Sequence, residues 1–253
     1  MTNRDLERWF ESLLDNEALA AIDPSRNGMQ VENDGREVSL VAFAVDASLE
    51  TIARAAAAGA GLLFVHHGLF WGRSELLTGA HYRRVKALLA ANLGLYASHL
   101  PLDIHPECGN NSGLARRLSL KDLRRFAPWR GCLAGYAGSF EEPVSLDEAL
   151  ARLFPLGEKP AHVLPFGPRE IKTVGVVSGC GSDNVYDAIS ERLDLVITGE
   201  VEHEAYHPAL ESGISVVAMG HYQSETVGVK LVAERLARET GIDTVFIDVP
   251  TGL

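Results

Sequence analysis

The sequence predicts an α/β protein with two duplicated halves, each holding a mixed, mainly parallel sheet in a three-layer α/β/α arrangement. Apolar, β-branched runs typical of buried strands alternate with segments of helical periodicity. The alternation occurs twice, once in each half of the chain. Polar residues then follow corresponding strands in the two halves, at VHHG and ITGE and again at YASH and AMGH. Strands that alternate with helices favour parallel pairing, which is the basis of this fold class.

The first half begins with an amphipathic segment, residues 1–14, that predicts a helix. Ser48 is a candidate cap for the second helix, and Gly59 is its candidate stop. The predicted elements are a strand at 38–46, a helix at 48–60, a strand at 61–67, a helix at 81–94 and a strand at 95–99.

The second half repeats this order, with Ser182 as the candidate cap of its first helix. The predicted elements are a strand at 171–179, a helix at 182–193, a strand at 194–200, a helix at 202–213 and a strand at 214–221. The repetition indicates a duplication, although two unrelated βαβαβ units would share the same pattern.

The boundary between the halves is predicted within residues 122–145, which mix proline, glycine and aromatic residues. Short antiparallel strands are expected there, followed by a helix at 145–153 and a short strand at 161–164. The predicted domains are therefore residues 1–125 and 126–253, with the first carrying His66, His67 and Asp103 and the second carrying His221 and Glu225.

The composition excludes some classes of protein. The 253 residues carry a formal net charge of −11, which argues against a protein that coats DNA or RNA but leaves a single nucleotide open as a substrate. The three cysteines lack a Cys-x-x-Cys spacing, which fits a reducing cytoplasm rather than a disulfide framework. The N-terminus does not resemble a signal peptide, and no apolar run reaches the roughly 20 residues that cross a bilayer. A soluble, cytoplasmic protein without a membrane segment is expected.

Two adjacent histidines, His66 and His67, end the apolar run LLFVHH. Side chains alternate faces along a strand, so the pair can serve one centre, or two neighbouring ions, only where the strand ends and Gly68 lets the chain turn. The carboxyl edge of a parallel sheet is also where ligands usually bind. A single histidine here would more often be a hydrogen-bonded structural residue.

Further candidate ligands follow other predicted strands: Asp103, and the pair His221 and Glu225. Asp103 alone could belong to a turn or cap a helix, and Glu225 alone could be a first-turn carboxylate favoured by the helix dipole. Imidazoles and carboxylates delivered by three separate strand ends are better explained by divalent ions such as Zn, Mn, Fe or Ni.

A fourth cluster contains Glu200, His203 and His207. His203 and His207 are one helical turn apart and could form a ligand pair, but we expect them to line a pocket or face solvent. Glu200, His203 and also His99 are the candidates to orient a substrate or move protons. The glycine-rich stretch SGCGSDN (178–184) is either a tight structural turn or an anion-binding loop.

These residues lie in stretches that resemble the Nif-three-like family, whose members are often named GTP cyclohydrolase 1 type 2 homologues. The stretches are NGMQVE (27–32), VHHGLFW (65–71), HLPLDIHPECGNNSGLA (99–115), TGEVEHE (198–204) and GHYQSE (220–225). They occur in order over nearly the whole chain, which is similar to the short bacterial form without an inserted domain.

The resemblance implies two divalent metal ions per chain, held between two intertwined halves. Its five ligands fall on His66, His67, Asp103, His221 and Glu225, with Glu225 bridging. It also implies a homohexamer of two stacked trimers, with the metal sites facing an inner cavity. The activity implied is metal-dependent hydrolysis of a small substrate, GTP being one candidate and duplex nucleic acid being unlikely. The alternative is a non-catalytic metal-binding scaffold or regulatory partner.

Overall fold

The computed structural model describes residues 1–73 and 75–253. Its helices are α1 (Asn3–Leu14), α2 (Leu49–Ala57), α3 (Gly79–Ala91), α4 (Leu100–Ile104), α5 (Asn110–Arg117), α6 (Leu146–Leu153), α7 (Asn184–Ser190), α8 (Tyr206–Ser212) and α9 (His221–Thr240). Its strands are β1 (Gly28–Val31), β2 (Leu40–Asp46), β3 (Leu62–His67), β4 (Gly94–Ala97), β5 (Lys121–Trp129), β6 (Cys132–Val144), β7 (His162–Pro165), β8 (Ile171–Val177), β9 (Leu195–Thr198), β10 (Ser215–Ala218) and β11 (Asp243–Phe246). Short 3₁₀ turns cover Asn16–Leu19 and His203–Ala205.

The chain divides into two compact units. The first comprises Met1–Leu102 and Gly228–Val249, and the second comprises Asp103–Val227 and Pro250–Leu253. The boundary predicted at residue 125 lies inside β5, whereas the first unit ends at Leu102 and resumes at Gly228. The chain returns to the first unit because β11 pairs with β2 of that unit, which no local pattern signals.

The first unit contains a five-stranded sheet in the order β1-β4-β3-β2-β11. All pairs are parallel except β1 with β4. One face buries Phe43, Phe64 and Tyr96 against Phe10 of α1, with ring centroids 4.8–6.4 Å from that of Phe10. The alternate residues, such as Leu63, belong to a cluster that includes residues of α2 and α3. Helices therefore cover both faces, as the predicted three-layer arrangement requires.

The second unit contains a six-stranded sheet in the order β5-β6-β8-β9-β10-β7. Its centre, β8-β9-β10, is parallel, and the outer strands are antiparallel. The parallel centre is buried among apolar residues of α7 and α8, including Val185 and Ala209.

The two sheets share one local plan. In each, three consecutive parallel strands lie in chain order, and an antiparallel strand pairs with the third of them: β1 with β4, and β7 with β10. The α/β class with mixed sheets is thus confirmed, and the shared plan is what a duplication predicts. Within the described part of the chain, none of the helices combines the length and apolar character needed to cross a membrane.

Several local predictions are confirmed and others are wrong. Ser48 caps α2 by accepting a hydrogen bond from the Thr51 amide (3.0 Å), and the helix stops before Gly59. Ser182 does not cap α7; its hydroxyl accepts from the Glu202 amide (2.8 Å). His221 does not end a strand but begins α9, because β10 already ends at Ala218. The short edge strand β1 and the strand β11 were not predicted.

Candidate metal centre

The carboxyl edge of the first sheet gathers four polar side chains. Asp46 ends β2 and lies beside His67, the last residue of β3, in the parallel register. His66 precedes it, and His99 follows β4 by two residues. Because β2, β3 and β4 run parallel, their carboxyl ends meet at one edge, as the sequence predicted for a ligand site.

His66 is completely buried, and a hydrogen bond at Nδ1 fixes the orientation of its ring. Its Nδ1 lies 3.0 Å from the carbonyl oxygen of Ser98. A carbonyl only accepts hydrogen bonds, so Nδ1 carries the proton and Nε2 presents a lone pair. The Ser98 hydroxyl donates to Asn16 Oδ1 (2.8 Å), and Asn16 in turn donates to the Tyr96 hydroxyl (2.6 Å). Burial, together with the carboxylate of Glu11, raises the pKa of Tyr96 well above its usual range, so this phenol stays neutral.

His67 and His99 are held by carboxylates in the same way. His67 Nδ1 lies 2.9 Å from Asp46 Oδ1, and His99 Nδ1 lies 2.8 Å from Asp23 Oδ1. Burial alone would raise the pKa of Asp23. The hydrogen bond from His99, with smaller contributions from Asn27 and the Ser25 amide, instead brings it below the usual value. Asp23 is therefore an ionised acceptor, and in each ring the carboxylate at Nδ1 makes Nε2 the candidate ligand atom.

These three imidazoles form one group. His66, His67 and His99 each offer a ring nitrogen, and these atoms lie within 4.8 Å of one another. The ring centroids are 4.7 Å apart for His66 and His67, 5.0 Å for His66 and His99, and 5.8 Å for His67 and His99. The first unit thus carries a group that can hold a metal ion.

Two residues of the stretch 27–32 support this edge. Asn27 accepts a hydrogen bond from the His99 amide (3.0 Å) and donates to Asp23 Oδ2 (2.8 Å). Gln30 accepts from the Leu69 amide (2.7 Å), which fixes the loop after His67. The conspicuous NGMQVE stretch therefore orders the surroundings of the histidines.

In the second unit, His221 and Glu225 lie one turn apart on α9. His221 Nε2 is 3.1 Å from Glu225 Oε1, and the carboxylate of Glu225 is buried. On the other side of the ring, Nδ1 is 2.5 Å from Glu200 Oε1. The hydrogen bond to Glu225 and then that to Glu200 raise the pKa of His221 to about 9, against the opposing effect of burial.

Cys180 joins this group in the second unit. Its Sγ lies 3.5 Å from His221 Nδ1 and 3.6 Å from Glu200 Oε2. The donor atoms of Cys180, Glu200 and His221 lie within 4.8 Å of one another. Burial and the charge of Glu200 raise the pKa of this thiol to about 11, so it is protonated at neutral pH.

Asp103 lies on α4 and is anchored by two donors of its own unit. Its Oδ1 accepts from Asn110 Nδ2 (2.9 Å) and from the Ser178 hydroxyl (3.0 Å). Ser178 follows β8 and is itself held by Asn111, which accepts from its amide (2.6 Å). The side chain is buried, and these two donors hold its orientation.

The glycine-rich turn after β8 makes room for Glu225. Gly179 has a φ of +64°, and a Cβ built on it would lie 2.4 Å from Glu225 Oε1 and 3.4 Å from His221 Nε2. The Gly179 amide donates to the Ser224 hydroxyl (3.0 Å). Position 179 therefore requires glycine, because a side chain there would collide with Glu225.

Several of the predicted site residues come together within each unit. His66, His67 and His99 come together in the first unit, and Glu200, His221 and Glu225 come together in the second. His203 lies in the 3₁₀ turn His203–Ala205 and is exposed, as is His207 on α8. Asp23, Asp46 and Cys180 were not predicted as site residues. Asp46 could have been, because it is a polar residue at the end of a predicted parallel strand, as His67 is.

The geometry defines a class: an α/β protein whose two units each carry histidine groups suited to metal ions, joined in the second unit by glutamate. The chain belongs to the Duf34/NIF3 (NGG1p interacting factor 3) family, whose model matches residues 1–252. The recognised resemblance is thereby confirmed.

Its relatives match most or all of the chain. A protein of Treponema pallidum named GTP cyclohydrolase 1 type 2 homolog is 46% identical, with 100% of each chain covered. A protein of the same name from Deinococcus radiodurans is 43% identical over 98% of this chain and 94% of its own. The crystal structure of TTHA1606 from Thermus thermophilus superimposes with a TM-score of 0.89 at 38% identity, covering 100% of both chains.

Proposed function

We propose that this protein is a hydrolase that uses about two divalent metal ions per chain and acts on a small soluble substrate. The proposed ligands are His66, His67, Asp103, His221 and Glu225, with Glu225 bridging. The observation that supports it most directly is the hydrogen bonding of His66 and His67. Each has Nδ1 next to an oxygen acceptor, which makes Nε2 the candidate ligand atom, as is usual for histidines that bind metals.

The donor set fits divalent ions. Imidazole nitrogen and carboxylate oxygen together suit Zn, Mn, Fe and Ni. Asp103 and Glu225 are also buried carboxylates, and buried charges are generally paired or bound to metals. Gly179 leaves space against Glu225 that a side chain would fill.

Bound ions would lower the pKa of a water toward ~7 and polarise the substrate. The chain's own residues prepare this chemistry by holding the ligands in place. Ser98 and Asp46 orient His66 and His67, Asn110 and Ser178 anchor Asp103, and Glu200 holds the ring of His221.

Glu200 and His203 are proposed to orient the substrate or accept its protons, Glu200 being the partly exposed carboxylate beside His221. His99, the third residue predicted for this role, lies among the imidazoles of the first unit. The relatives carry the name of a GTP cyclohydrolase homologue, so a nucleotide such as GTP is the first substrate to test.

The decisive experiment combines metal content with turnover. Elemental analysis of protein purified without a histidine tag and reconstituted with Zn, Mn or Fe should find about two ions per chain. The loaded protein is then screened against nucleotides, phosphoesters and peptides, with Asp103→Ala as the control. Turnover that Asp103→Ala abolishes supports the hydrolase. Two bound ions without turnover on any class would instead favour the scaffold or regulatory role, and no bound ions would overturn the site assignment.

We propose further that the chain assembles into a homohexamer of two stacked trimers, as the family resemblance implies. Native mass spectrometry and light scattering measure the assembly directly. A mass of six chains that is stable on dilution is the expected result, and a monomer at micromolar concentration would contradict it.

A further inference from the structure

We propose that Trp71 is the stacking surface for a planar aromatic ring of the substrate, with Arg26 beside it to bind an anionic group. The inference deepens the proposed function, on which it rests, by naming the chemistry of the substrate: a purine nucleotide, or a molecule of the same shape and charge. Both residues belong to the first unit, and neither is among the proposed metal ligands or proton-transfer residues.

Trp71 lies beside the strand-end histidines. It follows the last residue of β3, His67, by four positions, and its ring centroid is 6.2 Å from that of this proposed metal ligand. Its ring centroid is also 5.2 Å from that of His99, which it meets at 74°. The residue is partly exposed. A ring that lies against Trp71 therefore comes close to the residues proposed to hold metal and move protons.

The loop that carries Trp71 is fixed before any ligand binds. Trp71 pairs with Ser25 in an isolated antiparallel bridge, and the Arg26 amide donates to the Phe70 carbonyl oxygen (2.9 Å). The indole Nε1 donates to the carbonyl oxygen of Gly68 (3.2 Å). Because this N–H group is already bonded, the indole offers a ligand its aromatic surface, and the fixed loop reduces the entropy lost on binding.

Arg26 supplies a positive charge next to this ring. Its guanidinium donates to the carbonyl oxygen of Gly72 (3.3 Å), the residue that follows Trp71. Arg26 is exposed, and a guanidinium has five N–H donors, so it can bind an anionic oxygen while keeping this contact. Arg73 is less suited to the role, because its Nε lies 3.7 Å from the carboxylate of Glu75.

An aromatic surface beside a guanidinium favours one class of ligand. Nucleobases stack on aromatic side chains through their π-faces, whichever hydrogen-bonding groups they carry. Guanidinium groups bind phosphate through paired N–H donors. A purine nucleotide uses both contacts and has more ring area to stack than a pyrimidine. Phosphoesters without an aromatic ring would use Arg26 alone.

Titrations with three matched ligands separate the two contacts: guanosine monophosphate, guanosine and ribose phosphate. Calorimetry measures their affinities for the metal-loaded and the metal-free protein. The variants are Trp71→Leu, Trp71→Phe and Arg26→Gln. The control is Trp129→Leu, which removes a partly exposed tryptophan of β5 whose ring centroid lies 4.8 Å from the guanidinium of Arg130.

We expect Trp71→Leu to weaken the binding of guanosine monophosphate and guanosine about 10–100-fold, as loss of one stacking side chain does. The binding of ribose phosphate should not change. Trp71→Phe should stay within about 5-fold of the wild type, because a phenyl ring still stacks. Arg26→Gln should weaken guanosine monophosphate and ribose phosphate about 10-fold but leave guanosine unchanged. Trp129→Leu should affect none of the three.

A second measurement keeps Trp71 in place, so it does not depend on the folding of a Trp71 variant. The chain has three tryptophans, and Trp9→Phe combined with Trp129→Phe leaves Trp71 as the only one. Guanosine monophosphate and guanosine should quench its fluorescence, whereas ribose phosphate should not.

Three results would overturn the inference: no ligand bound by the wild type, no quenching of Trp71, or a Trp71→Leu variant that binds guanosine monophosphate as the wild type does. Loss of all three ligands in Trp71→Leu would also overturn it, because the residue would then support the loop rather than the ring. Metal content and turnover on a substrate without an aromatic ring would still support the proposed hydrolase. Conversely, ring-specific binding by a protein that takes up no metal would leave the stacking site standing and contradict the metal assignment.

Discussion

At the scale of single residues, the candidate metal groups depend on which ring nitrogen is occupied. Hydrogen bonds to Ser98 and Asp46 settle this for His66 and His67. Glu225 and Glu200 hold the two nitrogens of His221 from opposite sides. The residues that orient the ligands are therefore as important to the proposed site as the ligands themselves.

We predict that Glu225→Gln weakens metal binding more than the loss of a ligand's hydrogen-bond partner does. The loss of such a partner usually weakens metal binding about 10–100-fold. The buried carboxylate supplies charge and a proposed bridge, whereas an amide supplies neither. Calorimetric titration of Zn and Mn measures the loss. His105→Ala and His207→Ala are the comparisons, and losses equal to theirs would show that Glu225 is not a ligand.

Gly179→Ala should disrupt the surroundings of Glu225. The new Cβ would lie 2.4 Å from Glu225 Oε1, and the backbone φ is +64°. Gly213→Ala is a matched control, since its φ is +65° and its new Cβ would lie 3.8 Å from the nearest atom, the carbonyl oxygen of Phe166. Both variants should lose about 1–2 kcal/mol of unfolding free energy from the left-handed backbone.

Only Gly179→Ala should also weaken metal binding, because only there does the methyl group meet a proposed ligand. Denaturant unfolding and metal titration separate the two effects. Equal metal affinities in the two variants would mean that Gly179 serves the turn alone.

At the scale of elements, α9 explains the pairing of His221 with Glu225. The helix begins at His221, so the two residues are one turn apart and Glu225 falls after the first turn. The helix-dipole interpretation of Glu225, which needs a first-turn position, therefore does not account for it. Helix α1 does have a first-turn carboxylate, Asp5, which forms a capping box with Thr2.

The capping box predicts an acid-dependent contribution to stability. Hydrogen bonds from the Thr2 amide and hydroxyl and from Arg8 lower the pKa of Asp5 from 3.8 to about 2. A pKa lowered on folding contributes stability above pH 3.8 that is lost as the pH falls toward 2.

Asp5→Asn should therefore be less stable than the wild type at pH 6, and the difference should shrink between about pH 4 and pH 2. Urea unfolding at a series of pH values measures it, with Thr2→Ala as the companion variant that removes the other half of the box, at a cost of about 1 kcal/mol. A difference in unfolding free energy that stays constant down to pH 2 would show that the charge of Asp5 does not contribute to stability.

At the scale of the whole molecule, charge limits the kind of substrate. The net charge of −11 leaves no excess of basic residues to follow a nucleic-acid backbone. Under the proposed function, positive charge at the reacting centre comes from the ions.

Binding of GTP should therefore depend on metal more steeply than on salt, and a short duplex should bind weakly under all conditions. Fluorescence titrations of both ligands, with and without metal and across a salt series, test this. Tight, metal-independent binding of the duplex with a steep salt slope would contradict the proposed substrate class. GTP binding without turnover would direct the search to other substrates.

Much of this protein could be predicted from local sequence. The alternation of apolar runs with helical periodicity is sufficient to place β2, β3, β4, β8, β9 and β10, because burial on both faces of a parallel sheet demands continuous apolar strands. The histidines at the end of β3 were recognisable for the same reason, since an imidazole pair has little to gain inside such a strand. Ligand types and their strand-end positions follow from these patterns.

Only the tertiary structure decided which residues orient the ligands and how the chain is divided. Asp23 meets His99 across 76 positions, Ser98 meets His66 across 32, and Asp46 meets His67 across 21. Contacts of this kind depend on strand order and register, and neither leaves a periodic signal in the sequence. Strand β11 could not be predicted for the same reason, because its own four residues carry no distinctive pattern. Its pairing with β2 returns Gly228–Val249 to the first unit.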